Sequence, residues 1–413
     1  MVETEVQKER VILVGVSEQD GDDTKDSLEE LKELVATAGT VTEGMVIQNR
    51  ERIHPGTYVG TGKVSEIKEM LATTGATGIV CDDELSPAQM KNLEDLLDTK
   101  VMDRTLVILD IFAAHASTSE GKIQVELAQL RYSMTRLVGF GRSMSRLGGG
   151  IGTRGPGEKK LEMDKRIIRT RISQLKRELA EVKKHREVAR GQRMRNHVPV
   201  AAIVGYTNAG KSTLLNHLTH AGVLEEDKLF ATLDPTTRQL ELPGKQQILL
   251  TDTVGFIRKL PHHLIEAFKS TLEEAKYADF IIHVVDASNP QADKQMYIVY
   301  NTLRELDIRD KKIVTLFNKM DRSEADRELR DFRADHTARI SARNDRDLET
   351  VKELLAQVLR ENKTYMEHVF SYEDAGKIQV IRRQGELLSE EYTPEGIFVK
   401  AYIPAEVYDR LGI

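Results

Sequence analysis

The segment GYTNAGKS (205–212) constrains the fold of this chain more than any other part of the 413-residue sequence. It matches G-x-x-x-x-G-K-[ST], follows the apolar run VPVAAIVG and precedes the apolar STLLNHL. The glycines let backbone N–H groups curl around phosphate oxygens, and the start of the following helix adds a favourable dipole. The segment therefore predicts a strand–loop–helix unit that binds phosphate, with Lys211 facing the β- and γ-phosphates and Ser212 ligating Mg²⁺.

A second phosphate-facing motif, DTVG (252–255), ends the apolar segment QQILLTD. Asp252 at a strand end is placed to hold the water shell of Mg²⁺, and Gly255 offers a backbone N–H to the γ-phosphate. Phe256 occupies the position where many GTPases carry the glutamine that orients the attacking water. Because a phenyl ring cannot orient water, we expect slow intrinsic hydrolysis that is assisted from elsewhere.

The motif NKMD (318–321) follows the strand-like segment IVTLF and predicts which base is bound. The carboxylate of Asp321 can accept hydrogen bonds from N1–H and the 2-amino group of guanine, a donor pair that adenine lacks. Asn318 and Lys319 are expected to support this loop and to pack on the base. The backbone of Ser341–Ala342 is expected to approach guanine O6. Four motifs in this order predict a domain that binds and hydrolyses GTP.

Between the first two motifs, LFATLDPTTR (229–238) lacks strong helix signals and is where a γ-phosphate sensor is expected. Thr232, Thr236 and Thr237 each carry a hydroxyl suited to Mg²⁺, and the residues alone leave all three open. Mg·GTP is expected to order such a segment. Asn208, inside the phosphate loop, has two interpretations: it braces the loop, or it contributes to a K⁺ site that substitutes for an arginine finger.

Charge is distributed unevenly along the chain, whose formal net charge is −6. Residues 131–195 contain 19 Lys and Arg against 6 Asp and Glu, a net charge of +13, so the remainder carries −19. A basic segment of this kind attracts phosphate backbones through counterion release. Its aromatic content is low, so we expect recognition of structured RNA by shape and phosphate contacts. A basic surface that only aids solubility is the alternative.

Two apolar heptad stripes flank a glycine-rich stretch in this basic region. Their 4-3-4-3 spacing predicts two long helices that pair as an antiparallel hairpin. Between them, residues 138–160 hold eight glycines and one proline, which predicts a flexible loop at the hairpin tip. Arg142, Arg146 and Arg154 lie in this loop and are the predicted RNA contacts. The stripes are Ile123, Leu127, Leu130, Met134 and Leu137, and Ile168, Ile172, Leu175, Leu179 and Val182.

The whole chain divides into four parts by its secondary-structure signals. Residues 1–105 and 198–362 alternate strand and helix signals, which predicts βαβ units with largely parallel sheets. Residues 106–197 hold the hairpin, and residues 363–413 form a small α+β domain. The predicted fold class is therefore α/β, with a P-loop GTPase domain (mostly parallel sheet) preceded by an α/β domain with a long antiparallel helical hairpin and followed by the α+β domain.

Composition argues against several other classes of protein. The single cysteine, Cys81, excludes a disulfide scaffold and a Cys-based zinc site. No apolar run approaches the roughly 18 residues of a membrane span, and the polar first residues are unlike a signal peptide. The carboxylates of CDDELSP (81–87) have no further ligands beside them, which indicates a solvated helix N-terminus and not a metal site. In the same segment, Ser86 and Pro87 predict the N-cap and the first residue of the following helix.

These segments together closely resemble the HflX family of GTPases, in the Obg–HflX group of the translation-factor class. The family usually has a threonine where this chain has Lys159. The resemblance implies binding to the large (50S) ribosomal subunit and its 23S rRNA, ribosome-stimulated hydrolysis, and dissociation of stalled or idle 70S ribosomes under stress. It also implies that the glycine-rich loop approaches the peptidyl-transferase region. The segments that carry it are HPGTYVGTGKVSEI, DDELSPAQMKNLE, GGGIGTRGPGEKKLE, GYTNAGKS, LFATLDPTTR, DTVGF and NKMD.

The resemblance also implies site residues and cofactors. Alignment of FATLD with the second GTPase motif selects Thr232 as the Mg²⁺ ligand beside Ser212. GTP and GDP are substrate and product, Mg²⁺ is the cofactor, and K⁺ stays open. We expect a monomeric, cytoplasmic protein, with peripheral membrane association as an open alternative. The predicted nucleotide-contacting residues are Gly205, Tyr206, Thr207, Asn208, Ala209, Gly210, Lys211, Ser212, Phe230, Ala231, Thr232, Leu233, Asp234, Asp252, Thr253, Val254, Gly255, Asn318, Lys319, Met320, Asp321, Ser341, Ala342 and Arg343.

Two other functions are compatible with these motifs. A large-subunit assembly GTPase shares all of them, and only the identity of the bound particle separates it from a splitting factor. A nucleotide-gated regulator of a protein partner, such as a membrane protease complex, would use the basic helices to contact acidic protein or lipid. Salt dependence and nuclease sensitivity of binding distinguish this second alternative from a ribosome-binding factor.

Overall fold

The structure is a computed structural model that divides into two compact units, which are described separately. The first unit comprises Met1–Lys184, Glu226–Asp234 and Ile257–Lys269, and the second comprises His185–Glu225, Pro235–Phe256 and Ser270–Ile413. The structure describes residues 9–18, 23–144, 156–195, 198–219, 229–230, 235–260, 274–322, 329–361 and 363–412.

A four-stranded, all-parallel sheet in the order β2-β1-β3-β4 forms the centre of the first unit. The central strands β1 and β3 read as short apolar runs and are almost fully buried, whereas the edge strand β2 is largely only partly buried. Ser86 caps α3 in a capping box with Gln89, and Pro87 begins the helix, as the sequence predicts. The elements are β1 (Arg10–Ser17), α1 (Thr24–Thr37), β2 (Val41–Asn49), α2 (Thr61–Thr74), β3 (Gly78–Cys81), α3 (Pro87–Leu97), β4 (Lys100–Asp103) and α4 (Arg104–His115).

Two long helices, α5 (Ser119–Met144) and α6 (Pro156–Arg195), form the predicted hairpin. Seven of the ten stripe residues, from Ile123 to Met134 on α5 and from Ile168 to Leu175 on α6, meet in one cluster, with Leu127, Ile172 and Leu175 buried at its centre. The prediction that residues 138–160 form a loop is wrong at both ends, because α5 continues to Met144 and α6 begins at Pro156. Each glycine costs a helix only about 1 kcal/mol, and proline is well tolerated in a first turn, so long helices can include both.

The second unit contains a six-stranded sheet in the order β10-β9-β8-β5-β7-β6. All neighbouring strands are parallel except the β6–β7 pair, which is an antiparallel hairpin at one edge. The order places β5, which leads into the phosphate loop, near the centre. The elements are β5 (Val200–Gly205), α7 (Lys211–Thr219), β6 (Thr236–Glu241), β7 (Gln247–Asp252), β8 (Phe280–Asp286), α8 (Ala292–Glu305), β9 (Lys312–Asn318), β10 (His336–Arg339) and α9 (Asp345–Arg360).

The C-terminal part of the second unit is an antiparallel sheet in the order β11-β13-β12 with two helices. Ile378 and Ile381 pack under one sheet face. These findings confirm the predicted fold class. Among the residues that the structure describes, no helix is long and apolar enough to cross a membrane. The elements are β11 (Thr364–Phe370), α10 (Ala375–Gln384), β12 (Glu386–Thr393), β13 (Gly396–Ile403) and α11 (Ala405–Leu411).

Candidate functional site

The phosphate loop lies between the end of β5 and the start of α7, as its sequence predicts. Gly210 has a φ of +94°, and a Cβ on it would lie 2.3 Å from Asn318 Nδ2. Glycine is required there for two reasons, since the left-handed conformation is strained for other residues and the space is already filled. The loop is therefore packed directly against the segment that is predicted to read the base.

Lys211 is buried, and its Nζ donates to the carbonyl of Tyr206 over 2.8 Å. The pKa of Lys211 is lowered to about 8, chiefly by burial; Asp252 opposes this shift and Lys319 adds to it. A buried ammonium with few partners is costly, and the charge of a nucleotide phosphate would compensate for it. The side chain therefore has the environment expected of a phosphate-binding lysine.

Ser212 and Asp252 provide a hydroxyl and a carboxylate at the same end of the sheet. Ser212 Oγ donates to Asp252 Oδ2 over 2.7 Å, and Asp252 is fully buried. Hard oxygen donors of this kind suit Mg²⁺, which usually takes one or two protein ligands and completes its shell with phosphate and water. Among the described residues, no group of three or more Asp, Glu, His or Cys side chains could hold a metal ion.

The DTVG motif lies against the phosphate loop. A Cβ on Gly255 would lie 2.9 Å from Thr207 Cα and 3.0 Å from Lys211 Nζ, so this position also requires glycine. Thr207 N–H donates to the Phe256 carbonyl (2.7 Å), and Phe256 N–H donates to the Gly205 carbonyl (3.1 Å). The Phe256 ring is buried, so it packs inside the protein at the position where many GTPases carry the glutamine that orients water.

The base-side residues are connected by hydrogen bonds centred on Asn318. Its Nδ2 donates to the Ala209 carbonyl, and its Oδ1 accepts from Ala342 N–H, both over 2.9 Å. Lys319 Nζ contacts the Asn208 carbonyl and Asp286 Oδ2, both at 2.8 Å. The predicted supporting roles of Asn318 and Lys319 therefore have a geometric basis, since both side chains join the base loop to the phosphate loop.

The groups expected to contact guanine are either partly exposed or already hydrogen-bonded within the protein. Asp321 is half exposed, with Arg322 Nε at 3.9 Å from its carboxylate. The amides expected near guanine O6 already donate within the protein, Ser341 N–H to Asp347 (2.7 Å) and Ala342 N–H to Asn318. An approach of these amides to O6 stays a prediction, and it would require them to share or exchange these acceptors.

The other residues of these motifs that were predicted to contact the nucleotide mostly form hydrogen bonds within the protein or are buried. Thr253 Oγ1 donates to the Ile203 carbonyl (2.8 Å), and Met320 N–H donates to the Ile340 carbonyl (3.2 Å). Val254 and Tyr206 are buried, whereas Arg343 is exposed. Of the alternatives to Thr232, Thr237 lies on β6 with its Oγ1 3.0 Å from Thr251 Oγ1, and Thr236 begins that strand.

Several predicted residues fall outside the part of the chain that the structure describes. The rRNA candidate Arg142 lies in α5, but its side chain is not described. Phe230 is described and buried in the first unit, where it packs edge to face on Phe112 with ring centroids 4.7 Å apart. Its side chain is thus used in packing. The residues outside the described ranges are Arg146, Arg154, Ala231, Thr232, Leu233 and Asp234.

Sequence reasoning missed a buried charge cluster in the first unit. Asp82, which was expected to be solvated, is 1% exposed and accepts from Arg104 Nη2 (2.8 Å) and Lys259 Nζ (2.5 Å). Arg104 also pairs with Glu30 Oε1 at 2.7 Å, and Arg258 pairs with Asp23 Oδ2 at 2.8 Å. The prediction of a solvated helix N-terminus was wrong because Arg and Lys from distant segments neutralise the carboxylate. The sequence signal that could have indicated these cationic partners is the dipeptide RK directly after DTVGFI.

Comparisons with known proteins match this chain to GTPases. Residues 25–113, 115–193 and 200–319 match family models described as "GTP-binding GTPase N-terminal", "GTP-binding GTPase Middle Region" and "50S ribosome-binding GTPase". The GTPase HflX of Lacrimispora saccharolytica is 67% identical over 412 residues, covering 100% of this chain and 97% of that protein. The GTPase HflX of Escherichia coli is 46% identical over 313 residues, covering 76% and 73%.

One solved structure is also similar. It is a GTP-binding protein of Sulfolobus solfataricus in complex with GDP, 25% identical, with a TM-score of 0.45 over 84% of this chain and 98% of that one. The Lacrimispora relative covers the whole chain, and the P-loop contacts both the DTVG and the NKMD segments in the second unit. The chain therefore belongs to the HflX family of GTPases.

Proposed function

We propose that this GTPase binds the 50S subunit in its GTP form and dissociates 70S ribosomes, as the resemblance implies. The supporting observation is the basic face of the hairpin. On α6 the apolar residues Ile172 and Leu175 are buried in the contact with α5, and the exposed residues of the helix include more cations than anions. The exposed basic residues are Arg166, Arg169, Lys176, Arg177 and Lys184, and the exposed acidic ones are Glu162, Glu181 and Glu187. A helical pair with an excess of exposed cations suits a folded RNA read by its phosphates.

In this proposal the nucleotide controls ribosome affinity. GTP favours one arrangement of the segments 229–238 and 252–263, and that arrangement binds the ribosome more tightly than the GDP form. A ligand shifts such an equilibrium only through differential affinity for the two states. Contacts of the basic hairpin with rRNA would then supply the free energy that displaces bridges between the subunits, and hydrolysis would allow release.

Mg²⁺ belongs to the proposed site. Ser212 would ligate it, Asp252 would hold its water shell, and Thr232 is the proposed third group, in the segment outside the described residues. When bound, Mg²⁺ neutralises charge on the β- and γ-phosphates. Lys211 binds and orients the same phosphates, and Asn318 holds the phosphate loop to the base loop. Together these residues position GTP for attack by water.

The role of Asn208 can be decided by a cation test. Its φ is +59°, and its carbonyl accepts from Lys319 Nζ. Ribosome-stimulated hydrolysis is measured in K⁺ and in Na⁺ buffer, for the natural protein and for Asn208→Ala. A K⁺-dependent rate that the substitution abolishes assigns Asn208 to a cation site. Equal rates in both buffers leave it a loop-bracing residue.

The test of ribosome binding is co-sedimentation with purified 50S subunits. Binding is expected with a non-hydrolysable GTP analogue, to weaken with GDP, and to weaken as salt rises. Replacing Arg169, Lys176 and Lys184 by Gln is expected to reduce it, whereas the matched change of three exposed cations elsewhere, Lys25, Lys32 and Arg346, is not. Equal loss in both triple variants, or binding that resists salt, would argue for a protein partner. Preference for immature particles would favour the assembly alternative.

A further inference from the structure

The turn between β6 and β7 lies at the opposite end of its hairpin from the nucleotide site. Thr236 pairs with Asp252 at the site end, and Glu241 pairs with Gln247 at the turn, with six residue pairs and no break in register. Six residues of strand span about 20 Å, and a paired ladder is stiff along its length. The position of the turn therefore influences where the Asp252 carboxylate lies, together with the pairing of Asp252 to Ile203 on β5.

Residues of the C-terminal domain hold this turn. Gly244, in the turn, has a φ of +77°, and a Cβ on it would lie 2.8 Å from the carboxylate of Glu386. Glu386 is the first residue of β12 and is fully buried. Lys363, just before β11, donates through Nζ to Oε1 of the buried Gln246. The turn is therefore contacted by two charged side chains from outside the GTPase sheet.

Arg360, the last residue of α9, contacts Glu386 and so completes a cluster with Glu386, Lys363 and Gln246. Arg360 Nε donates to Glu386 Oε2 over 2.7 Å, and its guanidinium lies 5.7 Å from the Tyr402 ring centroid. Burial lowers the pKa of Lys363 to about 8, although Glu386 opposes the shift. A buried carboxylate is tolerated only with its cationic partners in place, so this cluster favours a single geometry.

We propose that Glu386 and Arg360 are positioning residues for GTP hydrolysis, through which the C-terminal domain sets the position of the β6–β7 hairpin and hence of Asp252. The inference rests on the GTPase activity and does not depend on ribosome binding. The base-side residue Asn318 ends another strand, β9, and Asp321 lies in the turn that follows it. Disturbing the cluster should therefore slow hydrolysis while leaving GDP binding without divalent cations unchanged, because Asp252 acts through Mg²⁺.

The principal experiment compares Glu386→Gln with Glu390→Gln in the full chain. Glu390 lies on the same strand and pairs with Arg382, away from the turn, so it is the matched control. For Glu386→Gln we expect single-turnover hydrolysis about tenfold slower, the effect of losing one hydrogen bond to a charged group. GDP affinity without Mg²⁺ is expected to stay within about twofold, and Glu390→Gln should change neither quantity.

The second readout is the energetic coupling between the charges of Arg360 and Glu386. Arg360→Gln should slow hydrolysis as Glu386→Gln does, while the double variant should be no slower than either single one, because no unpaired buried charge remains. If Glu386→Gln fails to fold, Lys363→Met serves as the test variant. It removes the hydrogen bond to Gln246 but keeps the Glu386–Arg360 pair, and it should slow hydrolysis about threefold.

Two results would overturn the proposal. The first is hydrolysis at the natural rate in Glu386→Gln or, if that variant does not fold, in Lys363→Met. The second is a loss of GDP affinity that parallels the loss of hydrolysis, since this would indicate general loosening of the second unit. Because all measurements use free protein, failure here leaves the proposed ribosome function untouched.

Discussion

At the scale of single residues, Lys211 makes nucleotide binding sensitive to pH. Burial is the main reason why the pKa of its ammonium is lowered to about 8. Phosphate anions favour the protonated form and raise this pKa, so binding takes up a proton wherever Lys211 is partly neutral. Affinity for GDP should be constant well below pH 8 and should fall as the pH rises through 8 and above.

The proton uptake can be measured by titration calorimetry in buffers that differ in ionisation enthalpy. Near pH 8 we expect an uptake of roughly half a proton per GDP bound, and no uptake by Lys211 at pH 6, where it is already protonated. Lys211→Ala should abolish tight binding, since the loop loses its point charge. A binding enthalpy independent of the buffer at pH 8 would show that Lys211 is charged in the free protein.

Asp321 is the residue on which base selectivity is predicted to depend. Asp321→Asn should weaken GDP binding by roughly ten- to a hundredfold, because a hydrogen bond to a charged acceptor contributes about 1.5–3 kcal/mol. ADP binding should change little, so the ratio of GDP affinity to ADP affinity should fall. Competition against a fluorescent GDP measures both, with Asp345→Asn as the exposed control. An unaltered ratio of GDP to ADP affinity would remove Asp321 as the base reader.

At the scale of elements, the charge cluster joins β3, α1 and α4 of the first unit. Arg104 is fully buried between Asp82 and Glu30, whose charges raise its pKa above the ordinary value even though burial alone would lower it. Arg104→Met leaves buried carboxylates without their main cation, which typically costs about 3–5 kcal/mol. Lys32→Met, on the exposed side of α1, should cost far less.

Hydrogen exchange on the full chain tests this prediction. Amides of β3 and α4 should exchange faster in Arg104→Met, whereas amides of β8 and β9 in the second unit should not change. Adding Asp82→Asn should recover part of the protection, because the unpaired charge is removed. Equal protection in Arg104→Met and the natural protein would mean that the cluster contributes little to stability.

The sequence predicted those elements whose signals are local. The strand–loop–helix of the phosphate loop, the cap at Ser86 and the two apolar stripes depend on neighbours within about a dozen residues, and the structure contains all three. The Asp82 cluster and the Glu386–Arg360 contact could not be predicted, because each joins residues from separate segments. The exact extent of α5 and α6 was also missed, since glycines weaken a helix without forbidding it.

At the scale of the whole molecule, the account depends on an uneven distribution of charge. Residues 131–195 carry +13 within a chain of net charge −6. Replacing Arg142, Arg146 and Arg154 by Ala should leave GTP affinity of the free protein intact and weaken 50S binding. The slope of log affinity against log salt should shrink by about two to three, if each arginine contacts one phosphate. An unchanged slope would exclude these residues from the RNA contact.

The most direct test of the central claim is sedimentation of 70S ribosomes mixed with this protein and a non-hydrolysable GTP analogue. The account predicts that the 70S peak is converted to 30S and 50S peaks, with the protein migrating with 50S, and that GDP does not support the conversion. A 70S peak that persists while the protein is demonstrably loaded with the analogue would contradict ribosome splitting.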